Sequence, residues 1–146
     1  MEGYHEQPEV TAAVIDGEGW YHTGDLASMD VQGYLRVEGR LKDVIIRGGE
    51  NIYPPEIEEL LQAHPSVSEV AVVGKADPRW GETVGAVIRT TPGTAPSEEE
   101  LRAYCRNHLA AYKTPTTWLC VDAFPLTASG KVRKNVLRDQ VATATT

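Results

Sequence analysis

The chain has 146 residues, a formal net charge of -7, 41% hydrophobic residues and 24% charged residues. That balance marks a globular chain rather than a disordered one and argues against general nucleic-acid binding, which rests on clustered cations that neutralise phosphates. Cys105 and Cys120 form neither a metal-ligand spacing nor a disulfide framework, the four histidines are scattered, and no apolar run reaches the length of a membrane span. No metal site, no transmembrane segment and a cytoplasmic location are therefore expected.

Residues 1–40 are dense in glycine and aromatic residues. Pro8 can open a short helix. Trp20 to Met29 and Tyr34 to Glu38 read as two strands joined by the turn Asp30-Val31-Gln32-Gly33. The segment carries too little apolar mass for a core of its own, and it reads as the edge of something larger. Polarity rises at Gly39-Arg40-Leu41-Lys42-Asp43, which sets the expected organisation: residues 1–41 as one piece, residues 42–146 as a domain.

In the second piece, Val44-Ile45-Ile46 is a short apolar strand. Arg47-Gly48-Gly49-Glu50-Asn51 turns, and Pro54 opens a helix whose Ile57, Leu60 and Leu61 form one apolar stripe. Val67–Gly74 and Thr83–Thr90 are β-branched runs, expected as an antiparallel pair across a turn-rich connection. Ser97 is an N-cap followed by three glutamates, and Leu101, Tyr104, Cys105, His108 and Leu109 continue at helical spacing. Trp118–Val121 is a further strand, Lys134–Val141 a last helix, and Ala142 to Thr146 an expected frayed tail. The class is α+β: a three-stranded, antiparallel-type sheet flanked by helices and preceded by a β-hairpin.

One stretch, Pro125-Leu126-Thr127-Ala128-Ser129-Gly130-Lys131, holds a lysine out on a turn. It is not a phosphate-binding Gly-x4-Gly-Lys-Ser/Thr loop, because Pro125 stands at the first glycine position and Val132 follows the lysine. Read with Gly19-Trp20-Tyr21-His22-Thr23-Gly24-Asp25-Leu26 and with Gly39-Arg40-Leu41-Lys42-Asp43 through Gly48-Gly49-Glu50-Asn51-Ile52-Tyr53-Pro54, it resembles the adenylate-forming enzymes. Within that superfamily the form Gly-Gly-Glu-Asn-Ile-Tyr-Pro is most similar to acyl-CoA synthetases.

The resemblance implies the mobile C-terminal domain of a fatty or aryl acid:CoA ligase, preceded by a remnant of the large AMP-binding domain. ATP with Mg and coenzyme A would be substrates of the complete enzyme, and the chain alone would be inactive without its large partner domain. The resemblance casts Lys131 as the adenylation lysine, Asp25 and Arg40 as nucleotide contacts and Lys42 as the hinge. It casts Gly48, Gly49, Glu50, Trp80 and Tyr112 as the face toward CoA. Thr114 departs from relatives that place a cation after the lysine. Two alternatives stay open: transfer of an acyl or aminoacyl group to a carrier protein, and a non-catalytic binding module.

Overall fold

The computed structural model describes residues 1–144. The chain divides into two compact units, Met1–Lys42 and Asp43–Thr146.

In the first unit, helix α1 (Pro8–Val14) starts with proline in its first turn and buries no residue. Strands β1 (Asp25–Met29) and β2 (Leu35–Arg40) pair antiparallel from Asp25↔Arg40 to Met29↔Leu35, with a bulge between Leu26 and Ala27. The Asp30 carboxylate closes their turn by accepting from the amides of Gln32 and Tyr34 at 2.8 and 3.0 Å. The expected strand from Trp20 shortens, because it starts only at Asp25. Gly19 and Gly24 adopt positive φ, and the Asp16 carboxylate accepts the Trp20 amide at 2.9 Å, so the stretch before Asp25 is a loop.

The second unit is a five-stranded mixed sheet with helices on both faces. Strand β6 (Gly81–Thr90) is its centre. Along one edge it pairs antiparallel with β5 (Val67–Asp77), from Val67↔Thr90 to Asp77↔Gly81. Along the other it meets β3 (Ile45–Arg47) at Arg47↔Gly81, and pairs in parallel with β7 (Thr117–Cys120) over Gly85–Ile88. Strand β4 (Glu50–Ile52) pairs antiparallel with β3.

The α+β class holds, but the sheet has five strands rather than three and is not purely antiparallel. Strands β3 and β4 are three residues each, too short to show a period. The parallel direction of β7 leaves no mark in its own sequence, since alternation reports burial and not the partner's direction.

Successive residues of the long strands serve opposite faces. Val72, Val84, Ala86 and Ile88 join Ile57 and Leu61 of α2 (Pro54–Gln62) and Leu101 and Cys105 of α3 (Glu98–His108) in one core. Ala71, Val73 and Val87 join Phe124 and the residues Leu137 and Val141 of α4 (Lys134–Thr143) in the other. A sheet covered on both faces explains the near-continuous apolar runs.

Ser97 caps α3, its hydroxyl accepting the Glu100 amide at 3.1 Å. Helix α4 extends over Lys134–Thr143, two residues past the expected Val141, with the Thr143 hydroxyl donating to the Gln140 carbonyl at 2.9 Å. The frayed tail expected from Ala142 is thus helical through Thr143, and Thr145 and Thr146 lie outside the described residues.

Candidate functional site

Lys131 stands on a small hairpin that supplies its own hydrogen bonds. Leu126 and Val132 form a β-bridge, and the Arg133 amide donates to the Pro125 carbonyl at 2.8 Å. Inside, the Thr127 amide donates to the Lys131 carbonyl at 2.8 Å and the Gly130 amide to the Thr127 carbonyl at 2.9 Å. The Lys131 amide donates to the Thr127 hydroxyl oxygen at 3.0 Å. Gly130 closes the loop at φ +79°, a conformation that penalises a β-carbon. The Lys131 side chain is exposed. It is an ammonium group held by a formed backbone.

The second turn is Arg47-Gly48-Gly49-Glu50. Arg47 and Glu50 pair across β3 and β4, and the two glycines take φ +59° and +90°, the signature of a tight type I′ turn. The two glycines differ in surroundings. A β-carbon on Gly48 would lie 2.9 Å from Cε3 of Trp80, while one on Gly49 would meet nothing within 4 Å. Gly48 is therefore a bare floor for the indole, and Gly49 is open to a ligand. Glu50 lies exposed at the end of the turn.

Trp80 belongs to the three-residue connection between β5 and β6. The Asp77 carboxylate accepts the amides of Arg79 and Trp80 at 2.9 and 2.8 Å, and the Gly48 amide donates to the Trp80 carbonyl at 2.8 Å. The Arg47 and Arg79 guanidinium carbons lie 5.2 and 4.8 Å from the indole centroid. Arg47 also donates from Nη1 to the Tyr112 carbonyl at 3.1 Å. Gly48, Trp80 and Tyr112 thus meet around Arg47. Next to Tyr112, Lys113 is paired with Glu56 at 2.7 Å, and that hydrogen bond raises its pKa above the usual lysine value.

Arg47 floors two clefts. One, of about 240 Å³, is lined by Lys75, Asp77, Trp80, Thr83 and Thr116 among others. Its neighbour, of about 290 Å³, is lined by Arg102, Arg106, Thr114, Pro115 and Thr116. Three polar atoms of the residues that line the second cleft, Arg47 Nε, Arg102 Nε and Thr114 Oγ1, are buried without a hydrogen-bond partner. Unmet buried polar atoms cost free energy, which makes this corner of the fold a costly one. Thr114, which replaces a cation in the expected pattern, is only 5% exposed. The arginines of α3 do not stand out in the sequence, because their spacing on the helix carries no motif.

In the first unit, Asp25 and Arg40 are directly paired across β1 and β2, with Arg40 Nε 3.2 Å from Asp25 Oδ1. Arg40 lines a shallow cleft of about 380 Å³ with Thr23, Gly24, Leu41 and Lys42. Lys42 sits in a 3-10 turn, Leu41–Asp43, at the junction of the two units.

Among the described residues no group of three or more His, Cys, Asp or Glu side chains could hold a metal ion, and no helix is long and apolar enough to cross a membrane. Burial pushes the Cys105 thiol up to about 11, and burial followed by the nearby Glu98 charge raises that of Cys120, so neither is poised as a thiolate nucleophile.

The family model of the AMP-binding enzyme C-terminal domain matches residues 56–131, just over half of the chain. The chain is 49% identical over 140 residues to the putative acyl-CoA synthetase YngI of Bacillus subtilis, covering 96% of this chain and 26% of that protein. It is 47% identical over 141 residues to the mitochondrial medium-chain acyl-CoA ligase ACSF2 of Rattus norvegicus, covering 97% and 23%. The fold matches ATP-bound MatB from Rhodopseudomonas palustris with a TM-score of 0.89 and 38% identity, over 97% of this chain and 28% of that one. The chain thus spans about a quarter of the length of the curated relatives it matches. It belongs to the AMP-binding enzyme C-terminal domain family, among whose members acyl-CoA synthetases are its relatives.

Proposed function

We propose that this chain is the mobile C-terminal part of an ATP-dependent acyl-CoA synthetase and serves its two half-reactions with two different turns. In the first, a carboxylate oxygen attacks the α-phosphorus of ATP and magnesium-bound pyrophosphate leaves, forming an acyl-adenylate. Lys131 holds the converging negative charges together electrostatically, with no proton transfer required. Asp25 accepts hydrogen bonds from the ribose hydroxyls, and Arg40, its cross-strand partner, completes the nucleotide contact.

In the second half-reaction, the CoA sulfur attacks the acyl carbon and AMP leaves, forming the thioester. Rotation at Lys42 withdraws Lys131 and brings up the Gly48-Gly49 turn, whose bare backbone admits a thin pantetheine arm. The observation that carries this reading is the cationic cleft beside that turn. Arg47, Arg102 and Arg106 line it, the Trp80 indole lies beside Arg47, and Arg47 Nε, Arg102 Nε and Thr114 Oγ1 lack hydrogen-bond partners. Such a surface suits an acceptor that carries both phosphate and an aromatic base, as CoA does. The chain needs the large AMP-binding domain for either step.

Lys131→Ala in the complete enzyme tests the reading. Adenylate formation from ATP and free acid should fall by about a hundredfold, the loss typical of one removed electrostatic contact. Thioester formation from preformed acyl-adenylate and CoA should stay at the wild-type rate. Adenylate formation at the wild-type rate would end the catalytic assignment. Use of an acyl carrier protein but not of CoA as acceptor would move the reading to carrier loading.

A further inference from the structure

The lysine hairpin is shaped from within, but its place on the molecule is set from outside. Leu126 is 54% exposed and Val132 37%, so little packing holds the hairpin itself. It runs directly into α4, whose N-cap is Arg133. Wherever α4 goes, Lys131 follows.

Helix α4 is pinned at several points. Leu137 and Val141 are fully buried in the second core, and Val141 lies so close to β6 that a β-carbon on Gly85 would stand 2.6 Å from it. Lys134 Nζ pairs with Glu58 of α2 at 2.6 Å, and Lys75 Nζ donates to the Ala144 carbonyl at 2.8 Å. These contacts tie the helix to the sheet and to α2. A further one goes elsewhere: Arg138 Nη2 donates to the Asp43 carboxylate at 2.6 Å, with the aspartate side chain only 16% exposed.

Asp43 is the first residue of the second unit, and it follows Lys42 in the same 3-10 turn. We infer that the Asp43–Arg138 pair is a clamp that confines the change of backbone angle to Lys42 and passes it to α4, so that Arg138 is a positioning residue for Lys131. The inference rests on the proposed roles of Lys42 and Lys131. A hinge works when a few residues absorb the rotation and the next ones do not. Without the clamp, the turn around Asp43 can absorb part of that rotation, and the lysine arrives displaced. A displacement near 1 Å is enough to cost about a hundredfold in rate. The two turns are affected unequally. Strand β3 starts at Ile45, two residues after Asp43, so the chain itself carries the Gly48-Gly49 turn from the junction. Lys131 is 88 residues further along and is reached only through tertiary contacts, among which the Asp43–Arg138 pair is made at the junction itself.

The experiment measures both half-reactions by single turnover in the complete enzyme, for Arg138→Gln, Arg138→Lys, Asp43→Asn and the double variant Asp43→Asn/Arg138→Gln. Adenylate formation should fall about tenfold in each neutral variant and no further in the double, because one interaction is lost in all three. Arg138→Lys should recover most of the rate, and thioester formation from preformed adenylate should stay unchanged throughout. Equal loss in both half-reactions would identify a merely structural pair and overturn the inference, as would losses that multiply in the double variant. Lys131→Ala run alongside separates the two failures. Adenylation lost in Lys131→Ala but untouched in Arg138→Gln removes the clamp alone. Adenylation kept in Lys131→Ala removes the reading beneath it and the clamp with it. Should Arg138→Gln fail to fold, Asp43→Asn and its split between half-reactions decide the matter.

Discussion

Residues 1–42 and the unit that follows both carry large apolar side chains and treat them in opposite ways. Trp20, Met29, Tyr34, Leu35 and Val37 are each at least 67% exposed, and no residue of the first unit is buried. From Ile45 on, Ile52, Ile57, Leu61, Ile88, Leu101 and Leu137 are all at 1% exposure or less. The first unit has too few apolar residues in total to build a core, and it lacks the second layer that would cover those it has. The sheet of the second unit has helices on both faces, whereas β1 and β2 form a lone two-stranded ribbon, which is marginal in water. A contiguous exposed apolar surface marks an interaction site. Under the proposed function its occupant is the large domain.

The comparison predicts a gap in hydrogen exchange. Amides of β5 and β6 in the 146-residue chain should be protected by roughly 10⁴ or more, the factor that a stability near 5 kcal/mol supplies. Amides of residues 1–42 should exchange within about tenfold of an unstructured chain, because their opening is local. Equal protection in both units would break the comparison at its root. The same contrast should appear in truncations. Leu137→Ala removes a fully buried side chain and should lower the stability of the main transition by about 3 kcal/mol in a urea melt. Leu35→Ala, at a side chain 71% exposed, should move it by less than about 0.5 kcal/mol. A smaller effect sharpens the contrast between glycines. Gly48→Ala combines a positive φ with a collision against Trp80 and should cost about 2 kcal/mol and shift the tryptophan emission. Gly33→Ala has a similar backbone, φ +87°, but open space and no core, so the main transition should stay where it is. Equal shifts for the two glycines would show that the first unit does contribute to that transition.

What the sequence made legible was local. Pro8, Pro54 and Ser97 marked helix starts that the structure places at or beside those residues. The β-branched runs marked β5 and β6, and the Asp30–Gly33 turn marked the first hairpin. What escaped was set by partners far along the chain. The parallel direction of β7 depends on Gly85–Ile88; the one local exception is the strand from Trp20, which yields to a loop closed by Asp16 four residues earlier. The site divides the same way. Each motif residue stood out through its neighbours in sequence, whereas the cleft of Arg47, Arg102, Arg106 and Thr114 draws on three separate segments. A pair such as Asp43 and Arg138, 95 residues apart, has no local pattern to read.

The hairpin around Lys131 separates two kinds of inheritance. Its hydrogen bonds run between residues 125 and 133, from the Pro125 carbonyl to the Arg133 amide, with the Thr127 hydroxyl at the centre. Its shape is therefore written in nine consecutive codons, while its address is written in α4 and in the residues that anchor that helix. Drift elsewhere in the chain can carry the lysine toward or away from a substrate without deforming the turn that presents it. Drift within the turn can change the presentation without moving the helix. Selection can tune reach and posture separately, and under the proposed function a domain that delivers one ammonium group by rotation gains from that independence.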